Sequence, residues 1–205
     1  MALQSLLGQI RQINNIDNVA AFKACVENSY QWLNSESSQV DVDHLVTGRA
    51  VFVDALLRQA WQLLELDKIK DLSLVAVGGY GRGQLQPYSD VDLLLLSQKP
   101  PAEEVKTKLG SFITLLWDIG LDIGQAVRTI SETIKLAKQD ITIATNLIEA
   151  RLLSGSQTTF EQLQQKVQGK GFWNSKDFFL AKYEEQIQRH AKFNGTSYNL
   201  EPNVK

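Results

Sequence analysis

Cysteine, long apolar runs and any excess of one charge are all scarce in this chain of 205 residues, and each scarcity removes a class of protein. Cys25 is the sole cysteine, so an intrachain disulfide framework and a cysteine-based zinc site are both excluded. One thiol suits a reducing compartment, and a cytoplasmic location is expected. Apolar runs such as residues 93–96 fall far short of the roughly 20 residues that span a bilayer. Residues 1–12 lack the basic start, apolar stretch and small-residue cleavage site of a secretory signal, so the sequon at Asn194 is read as chance. With 21 Lys and Arg against 23 Asp and Glu the net charge is -2, too balanced to hold nucleic acid by its phosphates. No nucleic-acid or membrane partner is expected. What remains, 43% hydrophobic and 21% charged, is the composition of a folded chain able to bury a core.

Periodicity divides the chain into three parts, 1–68, 69–138 and 139–205. In the first, from Val19 to about Leu66, the pattern is helical: Leu45, Arg49, Phe52, Leu56 and Ala60 recur at three and four residues, with Asp41 or Asp43 as a cap. In the second, residues 72–77 and 91–96 are short apolar runs with the look of strands buried on both faces. Pro101 suits the first turn of a helix that continues through Leu116 and ends at Gly120. Residues 121–129 then alternate as a third strand, with Asp122, Gly124, Ala126 and Arg128 on one side. Thr129 and Glu132 have capping-box spacing. The third part reads as helical: Asp140 caps a helix through Ile148 and Leu152 that Gly155 stops, and another helix runs from about Lys176 to Gly195. The expected fold is α/β (α+β), a small mixed sheet between helical segments.

Between the first two strands lie Gly78, Gly79, Gly81 and Gly83. A dinucleotide fingerprint starting at Gly79 needs glycine where Gln84 stands, and a phosphate-binding Walker loop needs Lys and Ser or Thr where Gln84 and Leu85 follow. A strand running into glycines still offers backbone N–H groups to a phosphate. Seven residues after Gly83, Asp90 and Asp92 point the same way from the start of a strand, about 6.6 Å apart along it. At about 6 Å and an effective dielectric near 20 their repulsion is roughly 3 kcal/mol, which a divalent cation relieves. An all-oxygen ligand set favours Mg²⁺ or Mn²⁺ over zinc. Carboxylate-held metal beside phosphate donors is the equipment of nucleotidyl transfer.

Gly78-Gly79 followed by Ser89-Asp90-Val91-Asp92 resembles the signature of the nucleotidyltransferase superfamily. Residues 77–94, 117–129, 144–153 and 198–205, in that order, resemble the N-terminal region of the bacterial bifunctional PII uridylyltransferase and uridylyl-removing enzymes, with the likeness covering roughly 43–205. That resemblance implies transfer of UMP from UTP, with Mg²⁺, to a tyrosine hydroxyl of the PII signalling protein. It implies Asp90 and Asp92 as metal ligands, Gly78 and Gly79 as phosphate contacts, and a third carboxylate from a neighbouring strand. Asp122 is the candidate for the third, with Asp118 and Glu149 as rivals. Arg82 and Ser89 are candidate nucleotide contacts, Tyr80 a candidate for stacking on the base, and Arg128 either pairs with Asp122 or meets substrate. His44 and His190 read as surface or packed side chains. Two other functions stay open: a nucleotide-binding regulatory domain without turnover, and a transferase using another donor such as ATP. The base, the PII docking surface and the oligomeric state are not legible.

The resembled enzymes also carry a His-Asp phosphohydrolase domain and two regulatory domains. No His-Asp dipeptide occurs here, so a truncated chain without uridylyl-removing activity or glutamine response is expected, and UMP release from modified PII would contradict that.

Overall fold

A computed structural model describes residues 2–37, 40–169 and 171–192. Three helices open the chain: α1 (Leu3–Gln12), α2 (Val19–Glu36) and α3 (Val42–Leu63). α1 went unread in the sequence although Leu6, Leu7 and Ile10 bury one face of it at helical spacing. Asn18 caps α2 through the Ala21 N–H, and Asp41, rather than Asp43, caps α3. β1 (Leu72–Ala76), the one-turn helix α4 (Gly78–Gly81), β2 (Val91–Ser97), α5 (Glu103–Asp118) and β3 (Ile123–Thr129) follow. α6 (Ile130–Ala137) starts on the capping box of Thr129 and Glu132. Then come α7 (Ile141–Ile148), capped by Asp140, β4 (Arg151–Gly155), α8 (Gln157–Gln168) and α9 (Ser175–Lys192).

Two expectations are corrected. The helix begun at Asp140 stops at Ile148, and residues up to Gly155 form β4 instead of its last turns. Gly155 is a strand residue at φ 91° whose Cβ would lie 2.3 Å from the Leu72 carbonyl oxygen, so it permits close backbone approach and caps nothing. α5 begins at Glu103 with Ala102 as its cap, so Pro101 precedes the helix. The stop proposed at Gly195, the sequon at Asn194 and the block at 198–205 lie outside the described residues.

Among the described residues the sheet has four strands in the order β3-β2-β1-β4. β1 is antiparallel to both β2 and β4, and β2 is parallel to β3, which makes the sheet mixed. Its two central strands are buried on both faces. Leu72, Leu74, Ala76, Leu93 and Leu95 join the core under α1, α2, α3 and α5. Val75, Leu94 and Leu96 join a second core with α6, α7 and α8. This is why β1 and β2 read as continuous apolar runs. By the same alternation Asp92 stands on the face of Leu94 and Leu96, at the end where β1 finishes and β2 and β3 begin.

Candidate functional site

Pairing at that end of the sheet fixes the spacing of everything near it. The Val77 N–H donates to the Asp92 carbonyl at 3.1 Å, and the Val91 N–H donates to the Asp122 carbonyl at 2.8 Å. In the parallel register Asp92 lies opposite Gly124. A Cβ on Gly124 would fall 2.3 Å from Asp92 Oδ1, and one on Gly78, at φ 60°, would fall 3.1 Å from Asp92 Oδ2. Asp92 Oδ1 therefore occupies space that a side chain at 124 would take, while at 78 the crowding of Oδ2 is milder and the positive φ favours glycine. Asn146 of α7, with Oδ1 3.5 Å from that same Gly78 position, closes the third side.

Beside this notch lies a cleft of about 230 Å³ lined by Gly79, Arg82, Gln84, Ser89, Asp90 and Asp92. Asp90 and Asp92 are half-buried. The segment leading into β2 is held by α3: the Leu85 N–H donates to the Val46 carbonyl at 3.1 Å, and buried Arg49 donates to the carbonyls of Gln86 and, at 3.4 Å, Ser89. The Arg49 guanidinium also lies over the Tyr30 ring at 5.6 Å, and Tyr30 stacks on Tyr88. Arg49 was legible in the sequence only as one member of a helical stripe. A charge inside that apolar stripe was the signal that it had a buried task.

Asp122 is exposed just ahead of β3, one register position before Ile123, which pairs with Val91. Extended by one residue, that register sets Asp122 beside Asp90. Among the described residues no three His, Cys, Asp or Glu side chains converge as a metal cluster. Of the rivals, Asp118 is exposed at the end of α5, and Glu149 accepts a hydrogen bond from Arg82 at 2.6 Å. Arg128 stands six residues along the strand from Asp122, about 20 Å away, so their ion pair is ruled out. His44 is exposed and His190 is partly exposed on α9.

Stacking of a base on Tyr80 is also overturned. The ring is 2% exposed, and its hydroxyl donates to Asp54 Oδ1 at 2.7 Å. Arg151 of β4 lies over the ring at 5.5 Å and grips Asp54 with two bonds of 2.6 and 3.0 Å. Asp54 and Arg151 went unassigned in the sequence because their contacts span 97 residues of chain. Burial, and secondarily the Asp54 charge, hold the Tyr80 phenol well above its ordinary pKa. A phenol raised in the fold contributes stability that is complete below about pH 10 and is lost as pH climbs from there towards the folded value. The denaturation midpoint should fall above about pH 10, and Tyr80→Phe should flatten that fall. An equal fall in both proteins would assign it to other groups.

Residues 57–148 match the nucleotidyltransferase domain family, and residues 177–205 match the GlnD PII-uridylyltransferase family. The chain is 51% identical over 164 residues to a bifunctional uridylyltransferase/uridylyl-removing enzyme of Vibrio cholerae, covering 80% of this chain and 19% of that protein. It is 47% identical over 188 residues to that of Stutzerimonas stutzeri (91% and 21%). With that of Pseudoalteromonas translucida it shares 44% identity over 193 residues (94% and 22%). It thus spans about a fifth of the length of the curated relatives it matches. No helix among the described residues is long and apolar enough to cross a membrane. Glycine turn, paired aspartates and sustained likeness agree: the chain carries a nucleotidyltransferase domain and, along most of its own length, is similar to a part of the bifunctional uridylyltransferase/uridylyl-removing enzymes.

Proposed function

We propose that this chain transfers UMP from UTP to a tyrosine hydroxyl of a PII-type signalling protein, with pyrophosphate as the leaving group. The observation that carries the reading is the seating of Asp92 between Gly78 and Gly124, which aims a half-buried carboxylate at the cleft that also holds Asp90, Ser89 and Gly79. Two carboxylates at one strand start, with hard oxygen donors and an adjoining cleft, fit Mg²⁺, with Mn²⁺ as the alternative. When bound, such an ion neutralises the triphosphate and the departing pyrophosphate. Gly78 and Gly79 bring backbone N–H groups against the phosphates, and Arg82 and Ser89 add side-chain donors at the rim. Asp122, beside Asp90, takes the proton of the attacking hydroxyl. The tyrosine oxygen then bonds to the α-phosphorus as the bond from that phosphorus to the bridging oxygen breaks.

The reading includes a cytoplasmic setting and a catalytic core at 69–138 between helical parts at 1–68 and 139–205. The uridylyl group and the PII acceptor are taken from the names of the relatives, which are far longer proteins. Incubating the chain with PII-type protein, Mg²⁺ and each nucleoside triphosphate in turn, then weighing the acceptor by mass spectrometry, tests it. One uridylyl group added from UTP alone is expected. Addition from ATP would replace the donor. UTP binding without any transfer would make this a silent binding domain.

A further inference from the structure

The glycine turn is held from behind by α3 and by residues 149–151, and Arg151 ties the two together. α4 is one turn long, and the Gly83 N–H closes it by donating to the Tyr80 carbonyl at 3.0 Å. Arg151 adds a side-chain hold on the same end: Nη2 donates to the Tyr80 carbonyl at 3.3 Å and Nε to the Gly81 carbonyl at 3.2 Å. Its two terminal nitrogens meanwhile bind Asp54 at 2.6 and 3.0 Å. A planar guanidinium tied to a buried carboxylate and to two backbone oxygens has almost no freedom left. Asp54 closes the loop by accepting the Tyr80 hydroxyl, so Tyr80 is fixed by its side chain and its backbone at once.

Backbone contact adds to this. A Cβ on Gly81 would lie 2.2 Å from the Glu149 carbonyl oxygen, so the residues joining α7 to β4 run directly against the turn. Arg82 and Glu149 pair over the top at 2.6 Å, with the Arg82 side chain 52% exposed, a contact of small energetic value by itself. Residues 149–151 therefore touch the turn on two sides, while Gly78 meets Asp92.

We propose that Arg151, seated on Asp54, is a positioning residue for the nucleotide triphosphate: it sets where the Gly78–Gly79 amides stand relative to Asp92. This rests on the reading of the cleft as a nucleotide site. Arg58 supplies the internal control. It donates to the same Asp54 at 3.3 Å and to the Leu153 carbonyl at 2.9 Å, and makes no hydrogen bond to the turn. A purely structural cluster predicts like effects from both arginines.

Calorimetric titration of MgUTP into the chain, paired with thermal unfolding, separates the cases. Arg151→Lys keeps a charge for Asp54 and gives up the forked hold on the two carbonyls. It should weaken Kd by about tenfold, the effect of losing roughly one charge-assisted hydrogen bond. Arg58→Ala should lower Tm with Kd within about twofold of wild type. Should Arg151→Lys not fold, Asp54→Asn, which removes the charge that seats Arg151, is expected to show the same weakening. Unchanged Kd in the folded Arg151 or Asp54 variant, equal weakening in Arg58→Ala, or a reduced number of sites at unchanged Kd would each overturn the positioning role alone. If the wild-type chain binds none of the nucleoside triphosphates, the nucleotidyl-transfer reading falls, and this proposal with it.

Discussion

Asp92→Asn should reduce nucleotidyl transfer by about a thousandfold or more, while the chain keeps its fold. The size follows from the several kcal/mol that a bound metal contributes to stabilising phosphoryl charge, at about 1.4 kcal/mol for each tenfold in rate. Asparagine preserves the volume that fits between Gly78 and Gly124, so the packing of β2 is undisturbed. What it removes is the negative charge that would bind a cation. Transfer from radiolabelled UTP, measured beside circular dichroism and Tm, checks this. A rate within tenfold of wild type would remove Asp92 from the metal site.

Gly124→Ala should lower activity by about a hundredfold without replacing any ionisable group. Its Cβ would meet Asp92 Oδ1 at 2.3 Å, and the carboxylate has to retreat by about 1 Å to reach ordinary contact. Because the obstructed atom is the tip of a side chain, the fold accommodates the methyl group by turning Asp92 aside, and Tm should change by only a few degrees. A displacement of about 1 Å is enough to cost a hundredfold in a positioned site. Gly110→Ala in α5, with nothing within 4 Å of its added Cβ, serves as the control and should gain up to about 1 kcal/mol of stability from helix propensity. Equal activities in the two variants would show that the seating of Asp92 does not matter to catalysis.

The features readable in the sequence are those whose physics is local. β1 and β2 announced themselves as apolar runs because both faces are covered, and the capping box of Thr129 and Glu132 needs only four residues. β4 did not, for a definite reason. It is five residues long, lies at the sheet edge, and pairs with β1 across an irregularity between Leu74 and Val75. No alternation survives such a strand, and Leu152 fell at helical spacing from Ile148. The aspartate pair was legible as a motif, whereas its seating depends on Gly124, which reaches Asp92 only through the β2–β3 register. Tyr80 misled because glycines flank it and suggest an exposed loop. Its burial is decided by Asp54, 26 residues earlier, and Arg151, 71 residues later. A lone aspartate within the apolar stripe of α3 was the trace of that arrangement, and it became meaningful only with its partners in view.

On the proposed function, Asp90 and Asp92 together hold a divalent ion at the cleft beside the glycine turn. Anomalous diffraction from crystals grown with Mn²⁺ and a non-hydrolysable UTP analogue tests it most directly. A metal peak is expected within bonding distance of one oxygen from each carboxylate, with the triphosphate against Gly78 and Gly79. A peak elsewhere, or nucleotide bound with both carboxylates turned away from any metal, would contradict it.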